Sequence, residues 1–104
     1  MSLKAKILRE RKINKTEKQV TTQFYRDNNE DMDVDDLDAL LDQIHKRGKE
    51  KHDNFSIYLI RILNGANWIT FKDFDDLEDY YSGKVKEDAK FYDFSQVQIT
   101  CIFS

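Results

Sequence analysis

Apolar and polar positions along this chain fall into short periodic blocks separated by polar breaks. The clearest block is a helix. Val34, Leu37, Leu40, Leu41 and Ile44 recur at the spacing of one helical face. Asp33 stands before them as an N-cap, and Asp35 and Asp36 fill the first turn. His45, Lys46 and Arg47 fill the last turn, with Gly48 following as a stop. Acid at the start and base at the end both complement the helix dipole. The pattern predicts a helix over 34–47.

Residues 55–63 (FSIYLIRIL) are β-branched and aromatic with apolar side chains at both parities, which suits a central strand. Asn64-Gly65 is a turn signal, and Trp68 to Phe71 can return as an antiparallel partner. Asp73 then caps a second short helix with Phe74, Leu77, Tyr80 and Tyr81 on one face and Gly83 as terminator. Near the end, Val97, Ile99, Cys101 and Phe103 alternate with Gln96, Gln98, Thr100 and Ile102, the period of a half-buried strand.

The first 26 residues read differently. Asn14 with Glu17, or Thr16 with Gln19, has capping-box spacing, and Val20 and Phe24 then share a helical face. This predicts a helix over 15–25, with 1–13 fraying or disordered. Residues 27–33 are a loop by composition. The expected order is α-α-β-β-α-β: an α+β fold, with a small antiparallel sheet of about three strands covered on one face by two to three helices.

Charge divides the chain. Residues 1–26 hold eight bases against two acids, a net +6, whereas the whole chain carries −3. A basic N-terminal segment, 1–26, thus precedes a single acidic α/β domain, 27–104. A length of 104 residues bounds the whole to one domain of ordinary size. No apolar run approaches the ~18 residues of a membrane span, and Met1 to Lys6 has basic residues without the apolar core of a signal peptide. The single Cys101 excludes an intramolecular disulfide, so a reducing cytoplasm is the economical setting.

Candidate chemistry is thin. Asp27 to Asp38 places oxygen ligands where a calcium loop needs them, but Met32 stands where glycine makes the sharp turn and Asp38 where a longer Glu reaches the ion. Helix capping explains the same acids. His45 and His52 lack a third ligand at zinc spacing, Cys101 sits at a core parity, and three isolated glycines form no phosphate loop. The carboxylate pair Asp75/Asp79 has no basic or apolar partner to shift a pKa. The expectation is no catalytic residue, metal or cofactor, hence not an enzyme.

Two function classes remain. The first is a regulatory protein that binds a protein partner. Surplus aromatics at Trp68, Tyr80, Tyr81, Phe91 and Tyr92, beside Asp75, Asp76 and Asp79, would form its contact surface or a homodimer seam. In one version the acids imitate phosphate, as in inhibitors of mobile-element character that block a nucleic-acid enzyme. The second class is a nucleic-acid-binding module using Lys4, Lys6, Arg9, Arg11, Lys12, Lys15 and Lys18. Against it, the aromatic-rich half 53–104 has five bases and nine acids, a field that repels phosphate.

Overall fold

The computed structural model describes residues 3–26, 30, 32–64, 66–85 and 95–104, apart from the side chains of 64 and 81–85. Chain order is β1 (Leu3–Lys12), β2 (Lys18–Arg26), α1 (Val34–Lys51), β3 (Phe55–Asn64), β4 (Asn67–Phe71), α2 (Phe74–Val85) and β5 (Gln96–Phe103). The five strands form one antiparallel sheet in the order β1-β2-β5-β3-β4. This corrects the expected fold. Among the described residues there are five strands rather than about three, two helices where the expected order has three, and the order is β-β-α-β-β-α-β rather than α-α-β-β-α-β.

The extra strands come from the segment expected to be helical or disordered. Residues 3–26 form a hairpin, and β2 is paired with β5 from Lys18↔Phe103 to Tyr25↔Gln96. Its turn explains the misreading. The Asn14 side chain accepts hydrogen bonds from the backbone N–H of Thr16 at 2.9 Å and of Glu17 at 3.0 Å. Asn satisfies N–H groups two and three residues ahead in an Asx turn as readily as at a helix N-cap, so the same spacing serves both.

The two helices differ from expectation mainly at their ends. Asp33 caps α1 in a full capping box, accepting from Asp36 N at 2.8 Å while the Asp36 side chain accepts from Asp33 N at 3.2 Å. The helix then runs through Gly48 to Lys51 instead of stopping. Gly48 is buried inside it, where a Cβ would collide with the Phe55 ring. The glycine permits helix–sheet approach and terminates nothing. Asp73 caps α2 by accepting from Asp76 N at 2.9 Å, and α2 likewise continues past Gly83.

Strands β2 and β3 run the same way with β5 between them, and β4 and β5 run the same way with β3 between them. Each like-directed pair needs a long crossover, and α1 and α2 supply them. Both helices pack on one side. Leu37, Leu40 and Leu41 of α1 and Leu77 of α2 join Ile60, Ile62, Phe71, Val97 and Ile99 of the sheet in a single core. Each such side chain contributes about 1.5–3 kcal/mol when fully buried. Arg26 at the end of β2 adds an ion pair to Asp36 of α1 at 2.8 Å.

Two bulges set which residues face that core. In β1, Ile7 pairs with Thr22 and Arg9 with Thr21, leaving Leu8 as an extra residue. In β3, Ile57 pairs with Cys101 and Leu59 with Thr100, leaving Tyr58 extra. Each extra residue reverses the parity of the positions after it on its strand. Beyond Tyr58, Ile60 and Ile62 therefore enter the core at 1% and 0% exposure, and Arg61 points away from it.

Candidate nucleic-acid interface

The face of the sheet away from the helices is a grid of polar rows. Register places Lys4, Tyr25, Gln96, Leu63 and Trp68 side by side across all five strands. The next row is Lys6, Gln23, Gln98, Arg61 and Thr70. Then come Arg9, Thr21, Thr100 and Leu59, and after them Arg11, Gln19, Ile102 and Ser56. Hydrogen bonds tie these rows together: Gln23 Nε2 donates to Gln96 Oε1 at 2.7 Å, and Arg61 donates to Gln98 Oε1 at 3.2 Å. The Thr21 and Thr100 hydroxyls are 2.9 Å apart. The Arg61 guanidinium lies 5.2 Å from the Trp68 ring centroid, a cation–π contact that fixes both side chains.

Charge is sorted by this architecture. The five strands contain eight bases and one acid, Glu10. The helices α1 and α2 contain nine acids and five bases. By parity alone, Lys4 and Lys6 would share a face with Leu8 and Glu10, and Arg9 and Arg11 would take the other. The bulge at Leu8 changes that: Lys4, Lys6, Arg9 and Arg11 all fall on the open face, and Glu10, opposite Val20, falls on the helix side. Arg61 joins them through the second bulge. No acid of the five described strands occupies a position of the open face; Glu17 lies just beyond it, its carbonyl accepting from Ile13 N in the turn. Compared with family models, curated proteins and solved structures, the chain matches none.

Other sequence candidates are scattered. Lys12 and Lys18 pair with one another at the helix-side parity, and Lys15 lies exposed in the turn. Trp68 is on the open face, whereas Tyr80 of α2 packs edge-on against Phe71, with ring centroids 5.5 Å apart. Asp75, Asp76 and Asp79 are exposed on α2, across the sheet from Trp68. Tyr81 lies in α2 with its side chain outside the described set, and Phe91 and Tyr92 lie outside the described residues. Of the described members of the expected partner surface, Trp68 and the acids of α2 thus fall on opposite sides of the sheet.

The metal candidates fare no better. Asp27, Asn28, Asn29 and Asp31 of the calcium-like stretch lie outside the described residues, and Asp33 and Asp36 are engaged in the capping box. Among the described residues no group of three or more His, Cys, Asp or Glu is placed to hold a metal. His45 and His52 instead pack around Phe55, and His52 stacks on Phe103 with centroids 4.2 Å apart. Cys101 lines a cavity of about 300 Å³ between α1 and the sheet, with Val20, Phe24, Ile44 and Phe103. Burial pushes its thiol up to about 11, so it is a poor nucleophile at neutral pH. No helix among the described residues is long and apolar enough to cross a membrane.

Sequence reasoning missed Gln19, Gln23, Tyr25 and Arg61. The alternation Gln19, Thr21, Gln23, Tyr25 against Val20, Thr22, Phe24 was the available signal, hidden because those residues were read at helical period.

Proposed function

We propose that this chain is a non-enzymatic nucleic-acid-binding module whose contact surface is the helix-free face of the sheet. The supporting observation is the parity change at Leu8, which brings Lys4, Lys6, Arg9 and Arg11 onto one acid-free face. Lysines on an edge strand also deter edge-to-edge pairing. Edge protection does not require four cations on a single face, nor Arg61 on a central strand. Counterion release does. Cations on one surface can meet successive phosphates. The acidic composition of 53–104 does not oppose this, because most of its acids are on or beside α2 and none is in a described strand. A reducing, cytoplasmic setting suits the single thiol.

The test is fluorescence anisotropy with a labelled mixed-sequence oligonucleotide, single-stranded and duplex, over a range of salt. With up to five cations engaged, log Kobs should fall with log salt at a slope of about −3 to −4 on single strands. The double variant Lys6→Glu/Arg9→Glu should bind at least about tenfold more weakly and with a slope reduced by roughly 1.4. A native protein that binds neither oligonucleotide at about 50 mM salt, or a folded double variant that binds as tightly as the native chain, sinks the proposal.

A further inference from the structure

The open face carries more than charge, and its remaining side chains select between forms of nucleic acid. We infer that the ligand is a single strand whose bases stack on Tyr25 and on Trp68 together with the Arg61 guanidinium that lies over its ring. This rests on the nucleic-acid reading above and narrows it. Tyr25 and Trp68 occupy one row, on β2 and β4, separated by Gln96 and Leu63. Three interstrand spacings of ~4.8 Å put them about 14 Å apart. Bases stacked on each other rise only about 3.4 Å per strand, so the two rings receive bases separated along a splayed chain. On the strands between them lie Gln96, Gln98 and Arg61, with Gln23 beside Tyr25 on β2, amides and a guanidinium that can meet the exposed edges of unpaired bases. Lys4 and Lys6 flank Tyr25 and Gln23 on the outer strand, where a backbone leaving the platform would present its phosphates.

A duplex fits this surface poorly. Four interstrand spacings make the sheet about 19 Å across, wider than the ~12 Å major groove, so the face cannot enter it. A duplex also buries its base faces, leaving two rings in one row with nothing to stack on. Aromatic platforms of this kind discriminate by strandedness because every unpaired base offers a π-face.

Trp68 is the only tryptophan in the chain, so its fluorescence reports from the site itself. Oligo-dU and oligo-U of roughly 12 nucleotides, which differ only in the sugar, and a mixed-sequence duplex of equal length, are titrated into the native protein. Saturable quenching by a single strand, with tighter binding than to the duplex, supports the inference; the tighter of the two single strands identifies the sugar. By anisotropy, Tyr25→Ala and Trp68→Leu should each weaken single-strand binding by roughly 5- to 150-fold while changing duplex binding little. If Tyr25→Ala does not fold, Trp68→Leu and native quenching carry the test. Duplex binding equal to or tighter than single-strand binding, without quenching, overturns the single-strand inference and leaves the general reading standing. Absence of binding to all three probes overturns both.

Discussion

Ile62 and Arg61 are chain neighbours on β3, and they meet opposite sides of the sheet. Ile62 is completely buried among Val97, Leu77 and their neighbours, whereas Arg61 lies half-buried across the Trp68 ring with a hydrogen bond to Gln98. The same contrast repeats along β5, where Ile99 is 1% exposed and Gln98 is a half-buried member of a polar row. One side obtains its organisation from excluding water, and the other from side-chain hydrogen bonds that leave a flat cationic surface facing it. An antiparallel sheet with helices on one side only permits such a division. The two bulges then decide which cations lie on which side.

The largest effect should separate the two sides by stability. Ile62→Ala removes fully buried volume and should cost about 2–5 kcal/mol in urea unfolding, with affinity for an oligonucleotide unchanged under conditions where the variant stays folded. Arg61→Ala removes a partly exposed hydrogen bond and a cation–π contact, so its stability cost should be about 1 kcal/mol. Its binding loss should be the larger of the two. If Arg61→Ala matched Ile62→Ala in unfolding and left binding intact, the open face would be structural and the division of labour wrong.

That division was only partly legible in the sequence. Helix α1 could be placed at its start because apolar period and capping chemistry agree at Asp33, and β5 because apolar and polar residues alternate from Gln96 to Cys101. Gly48 misled because its role is tertiary: whether a glycine ends a helix or admits Phe55 beside it depends on β3, which local spacing does not report. The hairpin of β1 and β2 was obscured twice, by an Asx turn with capping-box spacing and by the extra residue at Leu8 that breaks alternation in 3–12. Of the interface, the basic residues of β1 were visible as charge. Tyr25, Gln23 and Arg61 were not, because their shared face exists only once β2 pairs with β5 and β5 with β3.

A second contrast lies within β5, between Cys101 on the helix side and the polar row containing Gln98. Desolvation raises the Cys101 thiol from 9.0 to about 11. That leaves much less thiolate near pH 8, offset in part by the higher nucleophilicity of the more basic thiolate, so a disulfide reagent should label the native protein about tenfold or more slower than the urea-unfolded chain. The shift also sets a pH window. Between about 9 and 11 the unfolded chain releases the thiol proton while the native chain keeps it, so the unfolded state binds fewer protons and stability falls as pH rises. Below 9 the thiol contributes no slope. Cys101→Ala should remove that part of the alkaline loss. Equal labelling rates in native and unfolded protein would place the thiol at the surface and contradict the face assigned to it.

The smallest expected effect is the sharpest on how the cationic face is made. The bulge accommodates Leu8 as one residue more than its partner strand requires between Ile7↔Thr22 and Arg9↔Thr21. Deleting Leu8 should let β1 pair regularly with β2, with Ile7 still opposite Thr22 and Arg9 still opposite Thr21. All four cations then keep their face, so affinity and salt slope should stay near native, and losing a 43%-exposed leucine should change stability by only about 0.5 kcal/mol. Inserting an alanine beside Leu8 should behave differently. If the turn holds Arg9 and Arg11 in place and a single-residue bulge is kept, Lys4 and Lys6 move to the helix side and the salt slope shrinks by roughly 1.4. A deletion that abolished binding while the insertion preserved it would show that Leu8 itself, and not the parity it sets, makes the surface.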